Sequence, residues 1–331
     1  MVPPPALGAA VKGIASVVAW LLLASVVPAN AQQRFALIVS GAAGGPEYVA
    51  QYNRWTSGLS ATLVKKLNFD LAFVTVLSDQ PDPGAASTAE NVRRVIASVG
   101  RVMTRDDVLL LVLIGHGTFD GTDAKFNLVG RDLESAEWSS LVQGLPGRLV
   151  IVNTASASFP FLERLAGPRR IVITATDSPA QRYDTVFPEY FILSFMDPAA
   201  DLDKNGRVSI WEAFAAASAR VRRHYQEAGQ LSTERALVDD NGDGVGNDVA
   251  APGDDGSLAS RTYLDESPPG AAPTDDVLLK LLQRRAMLEA EAEELKIRKT
   301  FLTGAEYSRE FERIMIELAR VSHDIRARMK S

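Results

Sequence analysis

The chain reads as an α/β protein, a mostly parallel sheet with helices on both faces, followed by a C-terminal α-hairpin. Three observations predict this. Short Val/Ile/Leu runs alternate with stretches of helical spacing from Arg34 to about Gly246. Those runs are continuous rather than alternating, which marks strands covered on both faces. Beyond residue 276 the apolar positions fall into a heptad-like repeat.

The first run, Phe35–Ser40, ends in Gly41-Ala42-Ala43-Gly44-Gly45, a strand closing in a tight turn. Tyr48 to Leu67 has helical spacing through Val49, Tyr52, Leu59 and Leu63. Leu71–Leu77 predicts a second strand, followed by a polar Pro/Gly loop over 78–86. Ser87 or Thr88 caps a helix through Val92, Val95 and Val102. Val108–Ile114 predicts a strand ending in Gly115-His116-Gly117. After a segment around Leu133–Leu145, Leu149–Val152 runs into Asn153-Thr154-Ala155-Ser156-Ala157-Ser158, and Ile171–Ala175 is one more strand. In parallel sheets ligand and catalytic groups gather at the carboxyl ends of the strands. Both small-residue turns lie there.

Four regions follow from composition. Residues 1–31 read as a signal peptide, with Lys12, an apolar stretch from Ile14 to Val27 and an A-x-A site at Ala29-Asn30-Ala31. That stretch is nearer fourteen than twenty residues, too short for a membrane span, so no stable span is expected after cleavage. Residues 32–250 form the α/β domain. The stretch 248–276 is rich in Pro, Gly, Ala, Ser and Asp, which places a linker at 251–275. Residues 276–331 form the hairpin: Leu281, Leu288, Leu295 and Leu302 keep a seven-residue spacing, Thr303-Gly304-Ala305-Glu306 restarts the helix as a capping box, and Tyr307, Phe311, Ile314, Leu318, Val321 and Ile325 continue the stripe. Such a hairpin packs on itself or on a partner, a second copy included.

The 331 residues are 46% hydrophobic and 23% charged, with a formal net charge of −6. That balance offers no basic field to displace counterions, which argues against nucleic acid. Export implies a periplasmic or secreted location. With no cysteine anywhere, the fold must hold without disulfides.

The run Leu109 to Ile114 followed by Gly115-His116-Gly117 resembles the strand and His-Gly motif of caspase-type and legumain-type cysteine peptidases, over roughly Arg34 to Ala217. The resemblance implies a caspase-like sandwich in which His116 is the general base and Gly117 helps bind the oxyanion. It also implies a nucleophilic Cys at the end of the next strand. Placing Asn153 on the family's acidic position puts Ala155 there, and shifting by one puts Ser156 there. A thiolate ionises near neutral pH and is intrinsically nucleophilic; alanine offers nothing, and serine needs a base held by a third group. Arg182 and Asp184 lie in the loop after the next strand and read as solvated charges.

A second motif is independent of the first. Asp201-Leu202-Asp203-Lys204-Asn205-Gly206-Arg207-Val208-Ser209-Ile210-Trp211-Glu212 fits the twelve-residue EF-hand loop. Asp201, Asp203, Asn205 and Ser209 supply oxygens, Arg207 its carbonyl, and Glu212 a bidentate carboxylate, so Ca²⁺ is the expected cofactor. Asp239, Asn241 and Asp243 begin a weaker loop 38 residues on, whose twelfth position is Ala250. The spacing suits a paired-hand arrangement.

These readings point to an exported, catalytically silent peptidase fold that binds a peptide or protein segment, with Ca²⁺ structuring it. The alternatives are a serine-type hydrolase using Ser156 and His116, and a calcium-dependent envelope structural or assembly protein.

Overall fold

Strands β1 (Arg34–Ser40), β2 (Val74–Leu77), β3 (Val108–Ile114), β7 (Arg148–Asn153), β8 (Arg170–Thr174) and β9 (Leu237–Asp239) form one six-stranded sheet, in the order β2-β1-β3-β7-β8-β9. Five strands are parallel and β9 is antiparallel to β8. β4 (Gly117–Phe119), β5 (Ala124–Phe126) and β6 (Leu133–Glu134) make a small antiparallel sheet. The computed structural model describes residues 32–79, 82, 84–266 and 276–328; the signal peptide expected at 1–31 lies outside them.

The pleat divides the central strands between two cores. Ile38, Leu110, Val112, Val150, Val152 and Ile173 face α1 (Pro46–Lys65), α5 (Phe187–Ser194) and α6 (Ile210–Glu227). Leu37, Val39, Leu111, Leu113, Ile151 and Val172 face α2 (Ala89–Val102), α3 (Ser135–Val142) and α4 (Phe159–Leu165). With both faces covered, every residue of β1 and β3 is buried, which is why these strands read as unbroken apolar runs. Thr88 caps α2 by accepting from the Asn91 amide.

Three expectations need correcting. Only Val74–Leu77 of the expected 71–77 strand is extended; Leu71–Phe73 is a 3-10 turn, started by Asp70 accepting from the Ala72 amide. The linker expected at 251–275 is packed against the body as far as Glu266. There Ala259, Thr262 and Leu264 are buried, and the Arg34 guanidinium donates to the carbonyls of Leu67 (2.6 Å), Asn68 (2.7 Å) and Leu264 (2.7 Å). Residues 267–275 lie outside the described residues. Finally, α7 (Asp276–Ile297) and α8 (Gly304–Arg328) pack on each other through Leu282, Leu288, Leu295, Ile314, Val321 and Ile325, but Ala286 of α7 also enters the core of the α/β body. Among the described residues no helix is long and apolar enough to cross a membrane.

Candidate functional site

Four central strands end level. Ser40 pairs with Ile114, Leu113 with Asn153, and Asn153 with Thr174, so the turns after β1, β3, β7 and β8 share one rim. His116 and Ser156 are brought together there. The Ser156 hydroxyl donates to the Gly117 carbonyl (3.1 Å) and accepts from the Gly117 amide (3.2 Å). A Cβ at Gly117 would lie 2.2 Å from the Ser156 carbonyl oxygen, so only glycine permits this approach.

The imidazole is held from three sides. Its Nε2 lies 3.2 Å from the Ala43 carbonyl, which can only accept, so Nε2 carries the hydrogen. Its Nδ1 lies 3.1 Å from the Asp184 carboxylate. Tyr48 and Tyr52 present edge contacts at 4.7 and 5.7 Å between ring centres. The Tyr48 hydroxyl also bonds Asp184, which pushes that phenol above its usual range. Among the described residues neither ring nitrogen meets Ser156.

Both candidate nucleophile positions are buried. Ser156 is 3% exposed and spends its hydroxyl on the Gly117 backbone, the position the resemblance assigns to oxyanion binding. Ala155 is 1% exposed, packs in the second core, and has its amide held by the Asn153 side chain at 3.1 Å. Ala157 follows with a positive φ of 49°, uncommon for a residue with a Cβ, so the turn is strained as well as buried. The cavity beside His116, walled by Tyr52, Trp55, Thr154 and Asp184, has a volume of ≈ 10 Å³. That is about the room of one water.

Two residues of this constellation escaped the sequence. Asp184 read as a solvated loop charge and is instead the imidazole's partner. Ala43 contributes a backbone carbonyl, for which side-chain patterns carry no signal.

The first acidic loop is a capped turn between α5 and α6. Asp201, Asp203 and Glu212 each bring a carboxylate oxygen within 4.8 Å of the others. Burial, then the charge of Glu212, pushes Asp203 up to about 7, and burial raises Glu212 too. Ionised together, the three repel in a poorly solvated place. The flanking cations do not neutralise them: Lys204 donates to the Asp201 carbonyl (2.5 Å), while Arg207 pairs with Asp265 (2.6 Å) and lies 4.0 Å above the Tyr263 ring. Asn205 bonds Asp203 through its amide nitrogen at 2.7 Å. Ser209 and Glu212 also form a reciprocal capping box for α6, with the Glu212 carboxylate taking the amides of Leu202 (2.8 Å), Asp203 (3.3 Å) and Ser209 (2.8 Å). The donor set suits a hard divalent cation with oxygen ligands.

The expected pairing of the two loops does not form. Ser209 bridges to Tyr263, whereas Val238 bridges to Asn247. In the second loop Asp239 accepts from the amides of Gly242 and Gly244, both at 2.7 Å, while Asn241 and Asp243 accept from amides two residues on, at 2.8 and 2.7 Å. Sequence spacing left this loop without its last carboxylate; Asp255, five residues past Ala250, folds back to take the amides of Asp240 (2.9 Å) and Asn241 (3.3 Å). Among the described residues, three acidic ligands converge at the first loop alone.

Comparison with protein families finds no match, and comparison with curated protein sequences finds none either. Among solved structures, a protein from Geobacter sulfurreducens is similar at 14% identity and a TM-score of 0.42, covering 63% of this chain and 93% of its own. The Drosophila initiator caspase Dronc is similar at 13% identity and a TM-score of 0.43, covering 62% of this chain and 79% of its own.

Proposed function

We propose that this chain is a catalytically inert, exported protein of caspase-like arrangement that works by binding a peptide or protein segment, with Ca²⁺ structuring the 201–212 loop. The observation that carries the inert reading is the Ser156 hydroxyl bonded to both backbone groups of Gly117, while both nitrogens of His116 face Ala43 and Asp184. General-base catalysis requires the base within hydrogen-bond reach of the proton it takes, and this arrangement directs the imidazole elsewhere. Support for a binding role comes from a concavity of ≈ 620 Å³ between α6 and α7, lined by Ala215, Ala219, Arg220, Arg223, Ala286 and Glu289. That volume is in the range of ligand sites, and its small-residue floor leaves room for an inserted side chain.

Support for Ca²⁺ is the convergence of Asp201, Asp203 and Glu212, in a sequence that also sets Asn205 and Arg207 at EF-hand spacing. Bound there, the ion would supply positive charge to two buried carboxylates and the half-buried Asp201. Calorimetry of the full chain should show Ca²⁺ binding that Glu212→Gln weakens at least tenfold; a silent titration removes the metal from this reading. A fluorophosphonate probe should leave the protein unlabelled. Labelling lost in Ser156→Ala would establish a serine hydrolase in its place. Peptide-library binding abolished by Ala219→Trp, which fills the α6–α7 concavity, is the expected signature of the docking site.

A further inference from the structure

Helix α7 touches both acidic loops, although neither loop is near the hairpin in sequence. Arg285 donates from Nη1 to the Leu202 carbonyl at 2.8 Å, and Leu202 is the second residue of the first loop. Gln283 donates from Nε2 to the Asp255 carbonyl at 3.4 Å, and Asp255 closes the second. Ala286, next in line, is 3% exposed and sits in the core of the α/β body. Gly256, at a positive φ of 93°, lies against both α6 and α7: a Cβ there would stand 2.8 Å from the Trp211 ring and 2.9 Å from the Gln283 amide. The docked position of α7 is therefore written into the two loops' backbones.

We propose that Ca²⁺ at the 201–212 loop fastens the C-terminal hairpin, with Arg285 as the coupling residue. The inference rests on the calcium reading above. The carbonyl that Arg285 holds belongs to the Leu202–Asp203 peptide, whose amide at the other end is bound by Glu212. Fixing that peptide plane fixes the position of Asp203 relative to Glu212, two of the three converging carboxylates. Docking thus pre-orders the ligands, and linkage requires the ion to favour docking by the same factor. The Arg285 charge opposes a nearby cation, but Glu289 pairs with it at 2.9 Å and offsets it. With that charge offset, the expected coupling is positive.

The test uses the full chain. Calorimetric Ca²⁺ affinity should fall about fivefold or more in Arg285→Ala, the lower end of usual coupling. In Arg284→Ala, whose partner Glu317 lies within the hairpin, affinity should hold. Hydrogen exchange of amides 276–297 should slow about fivefold on adding Ca²⁺ to wild type, and not in Arg285→Ala. Unchanged affinity in Arg285→Ala with exchange indifferent to Ca²⁺ overturns the coupling and leaves the metal site standing. An equal loss in both variants overturns the route through Arg285. No Ca²⁺ binding by the wild type removes the metal reading and this one with it.

Discussion

Replacing Ser156 by alanine separates a structural hydroxyl from a catalytic one. The side chain is 3% exposed and serves the amide and the carbonyl of one residue, Gly117. Removing it orphans both groups at a half-buried turn. Each orphaned buried group costs about 1–3 kcal/mol, partly regained as the turn relaxes around the extra space. Relaxation is limited, since the Gly117 and Ser156 backbones already abut. Because water reaches part of this turn, a net loss of about 1–2 kcal/mol is expected, which for a body of this size lowers the melting temperature by about 2–8 °C. Urea unfolding followed by circular dichroism, run beside fluorophosphonate labelling, reads both roles at once. An Ser156→Ala variant as stable as wild type, with labelling lost, would refute the reasoning outright.

Three other outcomes follow from the same geometry. Ala155→Cys should gain no peptidase activity against peptide libraries, because His116 stays bound by Ala43 and Asp184; any His116-dependent cleavage contradicts this. Glu234 is buried and accepts from the amides of Val186 (2.8 Å) and Phe187 (3.1 Å) and the Tyr225 hydroxyl (3.0 Å), yet burial pushes its carboxyl from 4.5 up to about 7. Between those values the folded chain keeps a proton the unfolded chain has lost, so the stabilisation is complete below 4.5 and fades as pH rises through 7, by about 3 kcal/mol. Without metal, urea midpoints should therefore fall from pH 5 to pH 7.5, and less steeply in Glu234→Gln; equal slopes would exclude Glu234 as a source. Arg34→Ala strands three carbonyls and should cost about 3 kcal/mol or more, with new protease cuts within 248–266 as the readout.

The sheet was legible because burial on both faces imposes unbroken apolar runs, and β1, β3, β7 and β8 all announced themselves that way. The shared rim followed from the parallel topology. Asp184 was not legible, because an isolated acid in a Pro-containing loop looks the same whether it faces solvent or an imidazole 68 residues earlier in the chain. The 248–266 segment misled for a related reason: its Asp and Gly residues read as linker composition, yet the Asp240 carboxylate accepts from the segment's Gly256 and Ala259 amides and its Asp255 carboxylate accepts from the Asp240 amide. Composition reports how polar a segment is and says little about where its polar groups find partners.

The grip of Arg34 on Leu264 works like a buckle, joining the first strand to chain more than two hundred residues later. Any fragment meant to carry this body must run through residue 266, because one trimmed at the apparent domain end near 250 would leave an arginine inside with part of its bonding gone. It also ties the start of the sheet to the last segment before the hairpin, so the two ends should let go together when the body melts.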